Sequence, residues 1–372
     1  GQSMLDTANG TLSSINSMLQ RMRDLSEQAA NGTYGKEERE AMQAEIDGLT
    51  AEIKRIKETT EFNGKKLFGE DVKQKVDLYP NAIRMSDSLT EAEKNDIKNG
   101  TKQVVVSTAD DFVELSKMIS YSNANIVLDS DIDLTDKTWN VISDFAGTFD
   151  GNGFTITSGN DRLFYSINGN SKNGTGTIKN LNLNSKAGQP LANRINGGTV
   201  ENVNVNANVV DASFSGIAST IDPTNNVLLK NCYVNVNYSI GNWSDWDMGA
   251  LVANCNSNNA KIQIENCHVN GTIDLNNKTR LDYNKCGLID NVGKTTTIKD
   301  CSTSIEFINV ASGVEDIVAS VFGTIADGAN ISGVEYNDKS SVKYNVVGED
   351  NRTTKGGITE NKDIDKKYTP FD

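Results

Sequence analysis

Apolar residues recur every three or four positions at the start of the chain: Leu5, Ala8, Leu12, Ile15, Leu19, Met22 and Ala29, with Ser26 the one polar interruption. The mean step is near ~3.5 residues, the period of a coiled-coil seam rather than of a general amphipathic stripe. Arg21, Arg23, Asp24 and Glu27 lie mostly off the seam. The pattern predicts a helix over residues 4–30, about 40 Å long at 1.5 Å per residue. Asn31-Gly32 then offers the left-handed backbone that ends helices. A second seam follows at Met42, Ile46 (or Glu45), Leu49, Ile53 and Ile56. Glu37 and Glu38 open it and Lys54, Arg55 and Lys57 close it, the charge order that opposes the helix macrodipole. Two such helices, folded back on each other, cannot bury both seams fully, so the hairpin is expected to pack against further partners.

The period changes after this hairpin. Ser88-x-x-Glu91 has the form of a capping box and predicts a short helix through Lys98, ended by Asn99-Gly100. Gln103–Val106 reads as a strand. Thr108 precedes a helical run with Phe112, Val113, Leu115, Met118 and Ile119 on one face, and Ile126–Leu128 and Ile132–Leu134 read as strands. A strand, a helix and more strands ahead of a repeat array predict a cap over the first open rung of a solenoid.

The array itself is a repeat of the form apolar, polar, Asn or Asp, then apolar or Cys. It occurs at Gly176-Thr-Ile-Lys-Asn-Leu, Gly198-Thr-Val-Glu-Asn-Val, Leu228-Leu-Lys-Asn-Cys, Gln263-Ile-Glu-Asn-Cys, Thr297-Ile-Lys-Asp-Cys and Asn330-Ile-Ser-Gly-Val. The anchors Ile178, Val200, Leu229, Ile264, Ile298 and Ile331 are 22 to 35 residues apart, and Phe154-Thr-Ile156 reads as a degenerate earlier copy. A second apolar element lies between copies, at Leu163-Phe164, Pro190-Leu191-Ala192, Gly216-Ile217-Ala218, Gly249–Val252, Gly287-Leu288-Ile289 and Ile317–Val321. Two short strands per coil with Asn/Gly turns predict a parallel β-helix. Some six rungs at about 4.8 Å give a rod of roughly 30 Å.

Composition narrows the function classes. The 372 residues suffice for two or three domains, and the net charge of −14 argues against nucleic-acid or anionic-membrane partners. No run of about 18 apolar residues suggests a membrane span, and no signal peptide is visible. The five cysteines, Cys232, Cys255, Cys267, Cys286 and Cys301, are odd in number, form no Cys-x-x-Cys pair, and have a single histidine, His268, for company. No cofactor or metal site is predicted.

The runs Leu19-Gln-Arg-Met-Arg-Asp-Leu25, Gln28-Ala-Ala-Asn-Gly-Thr33, Gln43-Ala-Glu45 and Thr60-Glu-Phe-Asn-Gly-Lys-Lys-Leu67 closely resemble the N-terminal rod segment of bacterial flagellin, over residues 3–69 without a gap. The resemblance implies an extracellular structural subunit of the flagellar filament, exported without a cleaved signal and packed against other flagellin subunits. It also implies that the terminal filament-core segments and the returning C-terminal rod helix are absent here. Flagellins with this segment are ligands of the flagellin-sensing Toll-like receptor, and the contact positions carry over as Arg21, Leu25 and Glu45, with Gln20, Arg23 and Gln28 beside them; Asp24 stands where the family commonly has Glu. The Gly147-Thr-Phe-Asp-Gly-Asn-Gly153 run and the Gly-Leu second strands are similar to repeats of bacterial surface β-helix modules often found in adhesins.

The expected fold is therefore α + β: a long α-helical coiled-coil hairpin (residues 1–70), a connector (71–102), a parallel β-helix or solenoid outer domain (103–350) with a strand–helix cap (103–135), and a C-terminal return segment (351–372). Cys232, Cys267 and Cys301 share one place in successive coils and read as an inward thiol ladder. Asn180, Asn202, Asn231, Asn266 and Asp300 share the preceding slot and read as a turn ladder. Asp129-x-Asp131-x-Asp133 starts like a calcium loop but has Leu134 where the loop needs Gly and Asn140 where it needs Glu, so a solvated strand face is expected. His268 is expected to be an outward surface residue. Trp243 and Trp246, in an insertion between rungs, are candidate glycan contacts for an adhesin module; a polysaccharide-degrading enzyme needs clustered carboxylates that the pattern does not align on one face, and no catalytic residue is assigned.

Overall fold

The fold is read from a computed structural model that describes residues 2–30, 36–62, 65–66, 79–85, 88–168, 175–241, 246–257 and 259–364. The chain forms two compact units, Gly1–Pro80 and Asn81–Asp372.

The first unit holds two long helices, α1 (Gln2–Ala30) and α2 (Lys36–Thr59), and an antiparallel pair of short strands, Glu61–Phe62 with Lys65–Lys66. Among its described side chains, α1 withdraws Ile15, Met18, Met22 and Leu25 from solvent, and α2 withdraws Met42, Ile46, Leu49, Ile53 and Ile56. The α2 set is the seam expected from the sequence. The α1 set is not: Leu12 and Leu19 are each 50% exposed, and Met18 and Leu25 take the covered places. Both sets obey the same three-and-four spacing, so periodicity alone cannot tell which one a neighbour covers. Side chains at Leu5, Ala8 and Ala29, and the Asn31-Gly32 break, lie outside the described residues.

The second unit is a large parallel β-sheet structure of β-helical form. Each of the six expected anchors pairs in register with the next: Ile178 with Val200, then Leu229, Ile264, Ile298 and Ile331. The column extends upstream through Phe149, Ile126, Val104 and Ile83. All ten side chains are buried, and each such burial contributes about 1.5–3 kcal/mol. Nine steps at the strand spacing make about 43 Å, longer than the sequence suggests. The upstream copy is anchored by Phe149 rather than by Phe154-Thr-Ile156; Ile156 belongs to a neighbouring column with Ile132 and Leu183. A second sheet stacks Phe164, Ala192, Ala218, Val252, Ile289 and Phe322, the last apolar position of the first five second elements and the residue just after the sixth.

The stack begins within the stretch read as a connector, because Ile83–Arg84 pairs in parallel with Gln103–Val106. It also runs into the stretch read as a return segment, where Ile358–Glu360 pairs with Val334–Tyr336. Two short helices accompany the first rungs. α3 (Glu91–Asn99) is capped by Thr90 with Glu93 reaching back, two residues after the expected Ser88 box, and it ends on left-handed Gly100. α4 (Ala109–Ser116) is capped by Thr108 and Asp111 and buries Phe112 and Leu115 in the core.

What turns each coil from one strand to the next is a residue in left-handed conformation. Asn180, Asn202, Asn231, Asn266 and Asp300 have φ between 50° and 53°. For ordinary residues that conformation costs about 1–2 kcal/mol, and Asn tolerates it because its short amide bonds locally. Here the amides bond from rung to rung: Asn266 Nδ2 donates to Asn231 Oδ1 (2.8 Å), Asn231 to Asn202 (3.0 Å), Asn202 to Asn180 (3.0 Å), and Asn180 to Asp150 Oδ1 (3.0 Å). Near the same corner Gly198 sits at φ +106°, where a Cβ would lie 2.0 Å from the Gly176 carbonyl oxygen.

Asn231→Ala removes two ladder bonds and strains the left-handed backbone, so it should lower unfolding free energy by about 2–3 kcal/mol. Asn231→Gly keeps the backbone relaxed and should cost less. Urea unfolding midpoints ranked wild type, then Gly, then Ala support this account; equal losses for Gly and Ala would remove the backbone term from it.

Candidate functional site

On the helical unit, the structure brings together two of the six residues that the flagellin resemblance implies. Arg21 Nε meets Glu45 Oε1 at 2.8 Å and Nη2 meets Oε2 at 3.2 Å, a two-pronged pair joining α1 to α2. Both side chains stay about half exposed, at 49% and 45%. The hydrogen bonds and charge of Glu45 raise the Arg21 pKa, with a smaller contribution from Asp24. Gln20, Arg23 and Gln28 are exposed. Leu25, in contrast, is only 2% exposed and serves packing.

In the β-helix, Cys232, Cys267 and Cys301 form the expected inward ladder. All three are buried, and the Cys267 N–H donates to Cys301 Sγ at 3.4 Å. All five cysteines are free thiols. Burial drives the Cys267 thiol well above its usual range and pushes Cys255 up to about 12. A thiol kept protonated is neither a nucleophile nor a metal ligand. Asp129, Asp131 and Asp133 go to separate partners, the Arg84 guanidinium, the Thr155 N–H and the Thr135 N–H. Among the described residues no three His, Cys, Asp or Glu side chains converge as metal ligands.

His268 corrects an expectation. Alternation does turn it outward, in register with Tyr233 and Ser302. Yet it is only 8% exposed, in a small space lined also by the distant Ile364. Asn266 already donates to Asn231, so its Oδ1 accepts from His268 Nε2–H at 2.9 Å. In the neutral imidazole Nδ1 is then the acceptor for the Ser302 hydroxyl, 2.8 Å away. The Ser–His–Asn order resembles a nucleophile and its base, but the adjoining space of about 10 Å³ holds no substrate. The arrangement continues the amide ladder to a buried end.

Beside the expected aromatic site, the structure reveals a buried charged corner. Trp246 and Tyr283 stack with centroids 6.0 Å apart and planes at 21°, and are 59% and 41% exposed. Trp243 lies outside the described residues. Next to Trp246 is a cavity of about 110 Å³ lined also by Asp247, Asn254, Gln189 and three serines. Behind it, Lys285 is fully buried and donates to the carbonyls of Tyr283 (2.7 Å) and Trp246 (3.0 Å). Asp290, also fully buried, accepts from Asn284 and Asn291, both at 2.8 Å. Burial, and then the nearby Asp247 carboxylate, raise its pKa to about 6. No motif marks these residues; the only sequence signal is a Lys and an Asp flanking the otherwise apolar Cys286–Ile289 element.

A concavity lies on the outward face of the strands that follow the left-handed corner. It is a groove of about 380 Å³ lined mainly by Asn182, Asn184, Asn204, Asn206 and Asn235, with Tyr233. Sequence reading caught the turn asparagines but missed these, although Asn-Leu-Asn-Leu-Asn184 and Asn-Val-Asn-Val-Asn206 alternate at the strand period.

Residues 1–73 match the bacterial flagellin N-terminal helical region. Polar flagellin F of Vibrio parahaemolyticus is 48% identical over 67 residues and Flagellin D of Vibrio cholerae 52% over 67 residues, in each case 18% of this chain and 18% of the relative. Flagellin A of Vibrio cholerae is 40% identical over 109 residues, 28% of each. The chain thus spans between 18% and 28% of the length of these curated relatives. Among solved structures, a candidate immunoglobulin A1 protease from Bacteroides ovatus is 16% identical with a TM-score of 0.47, covering 70% of this chain and 85% of that one; a likeness at that level assigns no activity.

The Asp290 pKa is raised on folding, from 3.8 to about 6. Its contribution to stability is therefore full below pH ~3.8 and is lost as the pH rises through about 6, a change of at most about 3 kcal/mol. Asp290→Asn should match wild type in thermal stability at pH 4 and exceed it at pH 8. A constant difference across that range would show that Asp290 does not titrate there.

Proposed function

We propose that the chain works as a subunit of the bacterial flagellar filament, outside the cell, with the β-helix displayed on the filament surface. The observation that carries this reading is the flagellin match of residues 1–73 together with the two half-exposed leucines on its first helix. On α1, Ile15, Met18, Met22 and Leu25 are the apolar side chains withdrawn from solvent. Leu12 and Leu19, seven residues apart, form a second stripe on α1, and other flagellin subunits cover it. No helix among the described residues is long and apolar enough to cross a membrane, which accords with a structural, filament-borne role.

The proposed contact for the flagellin-sensing Toll-like receptor runs through Arg21, Glu45, Gln20, Arg23 and Gln28. Leu25 acts there by holding α1 against α2. A second reading, favoured by the exposed Trp246–Tyr283 stack beside a polar cavity, makes the β-helix a glycan-binding adhesin module. A polysaccharide-degrading role draws no support from Asp247 and Asp290, since Asp290 is fully buried against amides.

Leu12→Glu with Leu19→Glu should leave helix content and unfolding of the isolated chain unchanged, because neither side chain is in the core, while reducing co-sedimentation with polymerising Vibrio flagellin at least tenfold. Undiminished co-sedimentation of the double variant would move the assembly surface elsewhere.

A further inference from the structure

The amide groove on the outward face is built as a track. Asn204 Nδ2 donates to Asn182 Oδ1 (3.1 Å), Asn206 to Asn184 (3.4 Å), and Asn235 to Asn206 (2.9 Å). These bonds run along the rod axis, from rung to rung. An Asn side chain has two N–H donors and two acceptor lone pairs. The ladder takes one N–H from each donor and one lone pair from each acceptor, so the second of each is directed away from the ladder. Asn184, Asn206 and Asn235 are exposed and Asn182 and Asn204 half-buried, so these valences reach solvent. They repeat at the rung spacing of about 4.8 Å, and from Thr155 to Asn235 the groove spans three such steps, about 14 Å.

Three further features define the ligand. The groove volume of about 380 Å³ falls in the range of small-molecule sites. Its lining among the described residues is amide, hydroxyl and aliphatic, with no charged side chain there. The chain as a whole carries −14, a field that repels anionic polymers. A chain of paired donors and acceptors without charge complements a ligand of the same kind, and sugar hydroxyls are both donor and acceptor.

We propose that this groove binds a linear, uncharged glycan laid along the rod axis across Asn182, Asn184, Asn204, Asn206 and Asn235, with Tyr233 closing one end. The proposal rests on the reading of the β-helix as a glycan-binding module and moves its centre from the Trp246 corner to the amide track.

The test uses the full chain and calorimetric or NMR titration with neutral cello-, xylo- and malto-oligosaccharides, alongside oligogalacturonate as an anionic probe. The variants are Asn204→Val with Asn206→Val, Asn237→Val and Trp246→Ala. Valine suits an outward strand position, so the double variant should keep its urea midpoint within the range of the Asn237→Val control. Saturable binding of at least one neutral oligosaccharide is expected, weakened tenfold or more in the double variant and unchanged in the other two. Loss of binding in Trp246→Ala with full binding in the double variant overturns the groove while leaving the glycan-binding reading in place. Preference for oligogalacturonate overturns the charge argument and with it the proposal. No binding of any sugar at millimolar concentration overturns both the groove and the glycan-binding reading, and leaves filament assembly untouched. If the double variant unfolds, Asn206→Thr, which keeps a hydroxyl but shortens the reach, must still weaken binding threefold or more, or the proposal fails.

Discussion

A parallel rung can bury its strands only if every coil turns the same corner at the same height. In this chain that constraint falls on one backbone slot, the left-handed residue between the two strands of each coil. Asn180, Asn202, Asn231, Asn266 and Asp300 all occupy it. The amides of the four asparagines bond to one another, so the cost of the unusual conformation is offset rung by rung. With the corner fixed, the residue two places before it becomes an anchor and the residue after it points into the core. The anchor column, the thiol ladder and the outward amide groove all follow from that one repeated turn.

The turn also explains which chemistry the domain lacks. Cysteines placed just after the slot, at 232, 267 and 301, face the buried interior, and burial drives the Cys267 thiol well above its usual range. His268, next along, faces out but is tied to the slot residue Asn266 on one side and to Ser302 on the other. Reactive groups are thus consumed by architecture. What reaches solvent in the groove is mostly neutral amide, whereas on the other sheet Asp290 and Lys285 take fully buried positions.

Much of the fold could be read from the residues because the anchors carry two coincident signals, an apolar side chain and an Asn or Asp two places later. Where the second signal fades, reading fails. The first rung, Ile83–Arg84, and the last, Ile358–Glu360, have Met85 and Glu360 in place of an Asn or Asp two positions after the apolar residue, and they pass as connector and tail. On α1 the apolar spacing supports two stripes equally, and only the neighbouring α2 selects Met18 and Leu25 over Leu12 and Leu19. Ser88 and Thr90 each head a hydroxyl-x-x-Glu pattern, and propensity does not separate them. The small space around His268 is lined also by Ile364, nearly a hundred residues away, and strand alternation contains no information about what later covers a face. The groove was within reach of the alternation Asn-Val-Asn-Val, but its concavity was not.

Spacing between anchors varies from 22 to 35 residues while the anchors themselves remain in register. The interior therefore does not sense how much chain lies between two slots. Segments such as the one carrying Trp246 can lengthen, shorten or be replaced with their cost confined to loop closure, which grows only slowly with length. A surface built this way can be rewritten by insertion without re-solving the core, and it changes its outward chemistry faster than its fold.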